Sequence, residues 1–242
     1  DFTARFEMAK ILSHNKSSLD QAINLFNELK SEKPNYPPLA LEMGRSYKGK
    51  GDFERSLDVL ANALGEHQLI SPRTLSDTIP PEKSLARETI SSIVPPNEQI
   101  DDDNARLEMA QLLSYHKNTM EEALEQFLIL FNKHPHDAKL SLDIARIHLT
   151  KKRYRKALSF LYPAMAEYPD YADLYLEASR AERELNHLKQ AQFLILKGIE
   201  LAEKKEPYFL DYAETLMLAG SFYKAEEIYR EALELNPQSF EL

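Results

Sequence analysis

The sequence contains residue types that could carry out catalysis, but no motif places them for a reaction. There is no glycine-rich phosphate loop, no Gly-x-Ser-x-Gly nucleophile motif, no His-Glu-x-x-His zinc motif and no cysteine. His134 and His136 flank Pro135, and residues two apart do not share a helix face. We expect histidines at a helix end, where the helix dipole favours them, rather than metal ligands. The sequence therefore predicts no enzyme, no catalytic residue, no metal and no cofactor.

Two short charge runs are interpreted structurally. Asp101–Asp103 is read as the solvated start of a helix, where acidic side chains oppose the helix dipole. The basic residues within Lys151–Lys156 are read as a turn. The net charge of −9 argues against nucleic acid as the main ligand, because such ligands normally require a basic face. We expect no nucleic-acid partner.

A recurring set of one apolar, one acidic and one basic residue is the most informative pattern. The apolar member recurs at six places: Phe6, Leu41, Leu107, Leu142, Leu176 and Leu210. The residue after it is always acidic, and a base three positions beyond that acid is found four times: Lys10, Arg45, Arg146 and Arg180. Gln111 and Glu214 are the exceptions. An acid and a base three apart lie on one helix face, so each pair is expected to interact.

These residues must be carried by helices that pack in pairs. Residues 208–237 contain two amphipathic stretches joined at Gly220 and ended by Pro237. Small and large residues alternate in this stretch at fixed positions: Ala213, Leu216, Gly220, Phe222, Ala225, Tyr229, Ala232 and Pro237. This pattern resembles the tetratricopeptide repeat (TPR), a helical hairpin of about 34 residues. Similar, looser matches extend over most of the chain.

The resemblance implies an all-α fold, a right-handed superhelix of helix–turn–helix repeats (an α-solenoid). We predict one array over 1–242, with about six repeats, one of which is degenerate. The predicted repeats cover 2–35, 37–69, 103–136, 138–171, 172–206 and 207–240, with a degenerate repeat or linker at 70–102.

An internal duplication supports this division. Residues Ala4–Ser13 nearly recur as Ala105–Ser114, a shift of 105 − 4 = 101 residues, which is close to three repeats. The segment 70–102 then fills the place of a third repeat. Its prolines forbid a long first helix, although 82–94 keeps an apolar face. Two interpretations stay open for this segment: a surviving helix that packs on its neighbours, or a loop that tethers two arrays.

In TPR proteins the first helix of each repeat lines a concave groove. The resemblance therefore implies that the apolar column is exposed there, with Lys10, Arg45, Arg146 and Arg180 beside it. The alternative is structural: the apolar residues seal neighbouring helices and the charges form exposed pairs. One TPR subclass binds acidic tails through Lys, Asn and Arg in the groove. Phe6, Glu42 and Glu108 depart from that pattern, and an acidic tail would be repelled.

The predicted function is a protein–protein interaction scaffold or adaptor that binds a helical or extended protein or peptide segment in the groove. From the resemblance, a bacterial secretion or envelope assembly system is favoured. Alternatives are an oligomerising arm, including a homo-oligomer, and a recruiting domain of a larger enzyme or co-chaperone. No membrane span is expected, since no run of eighteen apolar residues occurs. A chain without cysteine fits the cytoplasm, with the bacterial periplasm as the alternative.

Overall fold

The computed structural model describes residues 1–34, 36–65 and 103–235. Within these ranges the secondary structure is helical and contains no strand, so the all-α prediction is confirmed. The α-helices are α1 (Phe2–Ser13), α2 (Leu19–Glu32), α3 (Pro37–Lys50), α4 (Phe53–Leu64), α5 (Asp103–Ser114), α6 (Met120–Lys133), α7 (Ala138–Thr150), α8 (Tyr154–Glu167), α9 (Ala172–Glu184), α10 (Leu188–Leu201), α11 (Glu206–Leu218) and α12 (Phe222–Leu235). The predicted helix at 82–94 lies outside the described residues.

The chain divides into two compact units, Asp1–Leu130 and Phe131–Leu242. A single array over the whole chain stays a prediction. None of the described helices combines the length and the apolar character needed to cross a bilayer.

The first unit shows the sequence duplication in atomic detail. Short 3-10 turns follow α1 and α5, at Lys16–Ser18 and Lys117–Thr119, again 101 residues apart (117 − 16). The Ser18 hydroxyl donates to the Leu12 carbonyl at 2.7 Å, and the Thr119 hydroxyl donates to the Leu113 carbonyl at 2.6 Å. Both pairs satisfy a carbonyl left free where a helix ends. Donors and acceptors are each separated by 101 residues (119 − 18 and 113 − 12), so the halves share their turn chemistry.

Small residues allow close helix approach in this unit as well. A Cβ atom added to Gly44 of α3 would lie 2.8 Å from Leu60 of α4, too close for any larger residue without movement. Ser56 is fully buried at a position where the repeat pattern has alanine. Its hydroxyl donates to the Gly44 carbonyl at 2.7 Å, which explains how a polar residue is tolerated there.

The second unit stacks three helical hairpins, α7–α8, α9–α10 and α11–α12. The residues at their close crossings are fully buried and small: Ala145, Ala157, Ser179, Ala191, Ala213 and Ala225. Each hairpin turn contains one left-handed residue, at Lys152 (φ 57°), Asn186 (φ 64°) and Gly220 (φ 74°). These turns are 34 residues apart (186 − 152 and 220 − 186). Only glycine adopts this conformation without strain, so the repeat geometry persists even where lysine or asparagine replaces glycine.

Candidate functional site

Most of the predicted apolar column is buried. Phe6, Leu41, Leu142 and Leu176 are only 5%, 9%, 1% and 5% exposed, so the prediction that they face an open groove is wrong. Leu107 and Leu210 are half-buried. The reason is the direction of these side chains. Phe6 packs edge-on against Phe26 and Tyr36, and Leu176 of α9 lies in one apolar cluster with residues of α11. The column therefore seals one helix against the next, as the structural alternative held.

Three of the four predicted acid–base pairs form contacts within their helix. The pairs Glu7–Lys10, Glu42–Arg45 and Glu177–Arg180 have N–O distances of 3.1, 3.1 and 3.3 Å. Asp143 is different, because its Oδ2 is buried and has no hydrogen-bond partner among the residues that the structure describes. Burial raises the pKa of Asp143, although the nearby charges of Arg146 and Lys139 oppose that shift.

A second set of contacts, which the sequence analysis missed, joins successive hairpins. We call it the forward ladder: the base of one first helix binds the acid of the next. Its members are Arg45–Glu108 (3.0 Å), Arg146–Glu177 (2.7 Å) and Arg180–Asp211 (2.5 Å). For Arg146–Glu177 and Arg180–Asp211 the two partners are 31 residues apart, in adjacent repeats of the sequence, so the pattern itself contained this signal. Arg45 and Glu108 are 63 residues apart, with the segment 70–102 between their repeats, so the pattern did not predict that pair. The forward ladder links neighbouring hairpins through charge-assisted hydrogen bonds.

Arg180 is the most fully bound member of the forward ladder. Its Nε and Nη2 donate to Asp211, and its Nη1 donates to Glu177. Arg183 adds a bond from Nη1 to Asp211 Oδ1 at 2.9 Å. Burial alone would lower the pKa of Arg180, but the hydrogen bond to Asp211 and the charges of both acids outweigh it and raise that pKa. The guanidinium is thus held charged and in one orientation.

These arginines line an open cleft of about 650 Å³ in the second unit. Its lining comes from α7, α8, α9 and the turn after α7: Arg146, Leu149, Thr150, Lys152, Tyr154, Glu177, Arg180, Arg183 and Glu184. Glu177 stands two positions before Ser179, and the other lining residues of α7 and α9 stand one, four and five positions after the small crossing residues Ala145 and Ser179. The apolar residues predicted for a groove stand three positions before them. Arg146 and Arg180 line this cleft, whereas Leu142 and Leu176 do not. That the two arginines bind a partner stays a prediction.

A family model described as "Tetratricopeptide repeat" matches residues 207–239. These include the last described hairpin, which has the turn and crossing residues given above. The chain has a tetratricopeptide-repeat fold. No curated protein sequence matches the chain significantly.

Solved TPR-like structures agree over most of the chain. A tetratricopeptide repeat protein from Parabacteroides merdae ATCC 43184 has a TM-score of 0.71 at 12% identity, covering 96% of this chain and 80% of that one. MamA from Desulfovibrio magneticus RS-1 has a TM-score of 0.62 at 15% identity, with coverages of 84% and 97%. A thermophilic TPR protein from Thermus thermophilus has a TM-score of 0.57 at 19% identity, with coverages of 84% and 93%. At these identities the likeness concerns the fold alone.

One departure from the TPR pattern has a structural explanation. Glu182 stands where an aromatic residue is usual, yet it is buried. The Tyr162 hydroxyl donates to Glu182 Oε1, and His187 Nδ1 lies 2.6 Å from Oε2. Burial and the hydrogen bond to Glu182 together raise the pKa of Tyr162 to about 12. The acid is therefore satisfied by neighbours, as buried carboxylates must be.

The remaining sites considered from the sequence do not form a metal centre within the described residues. No group of three or more His, Asp or Glu side chains there could hold a metal ion. His136 Nδ1 lies 2.8 Å from Glu167, beyond the end of α6. In the first unit, Lys10 binds Glu7, and Arg45 shares Glu108 with Lys48. Both predicted site bases of that unit thus take part in ion pairs.

Proposed function

We propose that the chain is a protein-interaction scaffold that binds an extended or helical partner segment in the cleft of its second unit. The TPR fold supports protein binding in general. The observation that carries the choice of site is the cleft lined by Arg146, Arg180 and Leu149. It combines fixed polar groups with a partly buried apolar side chain, which is the composition of a recognition surface.

The forward ladder prepares this surface before binding. Arg146 and Arg180 have side chains that are 44% and 38% exposed, but their partner Glu177 is only 5% exposed. A buried carboxylate thus fixes two half-exposed arginines. Since these long side chains are already ordered, they lose less conformational entropy when a partner binds than free side chains would. Lys10, Arg45, Leu107 and Leu210 stay predicted partner contacts, with weaker support.

A random peptide library selected against the full chain tests the proposal. We expect peptides whose binding slows hydrogen exchange in α7 and α9 more than in α10 and α12. The matched variants are Arg146→Glu, which reverses a cleft charge, and Arg230→Glu, which reverses a charge on α12. We expect only the first to weaken binding, by about tenfold or more. Failure to recover any peptide that protects α7 and α9 would reject the proposal.

An oligomerising arm is the second candidate function. It is favoured by large apolar side chains exposed around the last described turn: Met217, Leu218, Phe222 and Tyr223. A contiguous apolar patch of this kind is often an interface. Sedimentation velocity over a wide concentration range tests it, and a monomer at every concentration would count against it. A secretion or envelope system, a co-chaperone role, a larger enzyme and the compartment stay predictions without further support.

A further inference from the structure

The cleft contains two arginines whose N–H groups already donate to acids of the protein, except Nη1 of Arg146, for which the described residues give no acceptor. Nε, Nη1 and Nη2 of Arg180 all donate to Asp211 or Glu177. Arg146 uses Nε on Glu177 and Nη2 on Asp173. A guanidinium recognises carboxylates through these same N–H groups, usually with two parallel bonds. An acidic partner side chain would therefore have to compete with acids that are already bound.

That competition is unfavourable because the internal acids are buried. Glu177 and Asp211 have side chains that are 5% and 6% exposed. Taking an arginine from either acid would leave a buried carboxylate without its counter-charge, which is costly. The exposed Glu184 and Glu214 add negative charge near the arginines. An acidic segment would gain a contact with the exposed Lys152 of the lining, but it would meet repulsion from Glu184 and Glu214.

What these arginines still offer a partner is the flat face of the guanidinium. Both side chains remain more than a third exposed although most of their N–H groups are bonded to acids. Arginine stacks on aromatic rings, and the attraction of a cation to the ring face does not require a free N–H group. Leu149 and Tyr154 line the same cleft and add apolar surface next to the arginines.

We infer that the cleft selects partner segments by an aromatic side chain that stacks on the guanidinium of Arg146, which is more exposed than Arg180 (44% against 38%). This inference rests on the proposed function, since it names the partner chemistry of the same site. The internal acids neutralise the arginines, so affinity depends on stacking and apolar burial rather than on net charge. Binding therefore changes little with salt, in contrast to recognition of an acidic tail.

The test uses peptides selected from the random library on the full chain. We expect enrichment in Trp, Tyr and Phe, and an affinity that changes less than about twofold from low to high salt. Replacing the peptide's aromatic residue by Leu should weaken binding about fivefold to tenfold. Arg146→Lys keeps the charge but removes the plane, and we expect a similar loss. The control is Arg230→Lys, on an arginine paired with Glu226 outside the cleft, which should change nothing.

Each other outcome has a definite meaning. Cleft-binding peptides enriched in Asp or Glu, with salt-sensitive affinity, would overturn the inference and leave the proposed function standing. Aromatic peptides that protect α10 or α12 instead of α7 and α9 would overturn it too. The peptide substitutions use the unaltered protein, so they decide the matter even if Arg146→Lys folds poorly. Recovery of no cleft-binding peptide would reject both the inference and the proposed function.

Discussion

The acids of the forward ladder are buried to different degrees in the two units. In the first unit its acid is Glu108, which has an 18% exposed side chain and binds both Arg45 and Lys48. In the second unit its acids, Glu177 and Asp211, are nearly inaccessible, and every cation that binds them is an arginine. Arginine suits such sites because its planar fork gives several directed bonds to one carboxylate. The comparison indicates that the same sequence pattern places a half-buried acid in one unit and nearly inaccessible acids in the other.

The largest expected difference in stability is between removing a forward-ladder acid in the second unit and removing one in the first. Asp211→Ala would leave Arg180 and Arg183 without their buried acid, and we expect a loss of about 3–5 kcal/mol. Glu108→Ala removes an acid from more exposed cations, and we expect about 1 kcal/mol or less. Native-state hydrogen exchange reports each unit separately, in α9 and α11 or in α3 and α5. Equal losses in the two units would contradict the difference in burial.

The apolar column allows a second comparison across the units. Leu142 is almost fully buried in the second unit, so Leu142→Ala should cost about 2–5 kcal/mol. Leu107 occupies the equivalent position in the first unit but is half-buried. Leu107→Ala should therefore cost distinctly less, about 1–2 kcal/mol. Hydrogen exchange in α7 and α5 measures both. A larger loss for Leu107→Ala would show that the column does not seal the helices as described.

The hairpin turns of the second unit provide a smaller, matched pair. Lys152 and Gly220 both have a left-handed backbone conformation, and they lie one repeat before and one repeat after Asn186. Lys152→Gly should relieve strain and raise stability by roughly 1 kcal/mol. Gly220→Ala should lower it by a similar amount, through backbone strain alone, because an added Cβ atom meets nothing within 4 Å. Thermal unfolding checks both variants, and a shift of the same sign in the two would be inconsistent with this account.

Glu108 and Asp143 each follow the apolar residue of their repeat. They should make stability depend on pH in opposite directions, each by a small amount. For Glu108, burial raises the pKa, but the bonds from Lys48 and Arg45 outweigh it and lower the pKa overall. Its stabilising contribution is therefore present above its ordinary pKa and is lost as the pH falls through the folded-state value. For Asp143 the pKa is raised by burial, so its contribution is present at low pH and is lost as the pH rises.

The directions of these two pKa shifts predict what happens when each carboxylate is replaced by its neutral amide. At neutral pH, Glu108→Gln should destabilise the first unit, whereas Asp143→Asn should leave the second unit unchanged or slightly more stable. The difference between Glu108→Gln and the parent chain should shrink as the pH falls below about 4. Hydrogen exchange across this pH range provides the measurement. A destabilising Asp143→Asn at neutral pH would mean that its buried oxygen is satisfied after all.

The helices, the crossing residues and the turns could be predicted because they depend on local spacing. Ala213, Ala225 and Gly220 were assigned from the repeat pattern, and their burial or left-handed backbone confirms it. The apolar column was misplaced for a geometric reason. Spacing shows which residues share a helix face, but not which face meets the neighbouring hairpin.

Contacts between residues far apart in the chain were the second feature that the sequence could not predict. Glu182 departs from the repeat pattern, and the residue that satisfies it, Tyr162, lies twenty residues earlier on another helix. The hydrogen bond from Arg180 to Asp211, 31 residues later, likewise becomes evident only in the packed structure. The repeat period makes such contacts conceivable, but the acid on the same helix three residues away was an equally good partner for the arginine.

The central claim is that the apolar column stabilises the fold while the arginines of the cleft bind the partner. The most direct test measures both properties, by thermal unfolding and by calorimetric titration of a selected peptide, for Leu142→Ala and Arg146→Lys. We predict that Leu142→Ala lowers stability strongly and leaves the affinity of the folded protein unchanged. Arg146→Lys should keep most of the stability and weaken binding about tenfold. Weakened binding with little loss of stability for Leu142→Ala, together with unchanged binding for Arg146→Lys, would contradict the account.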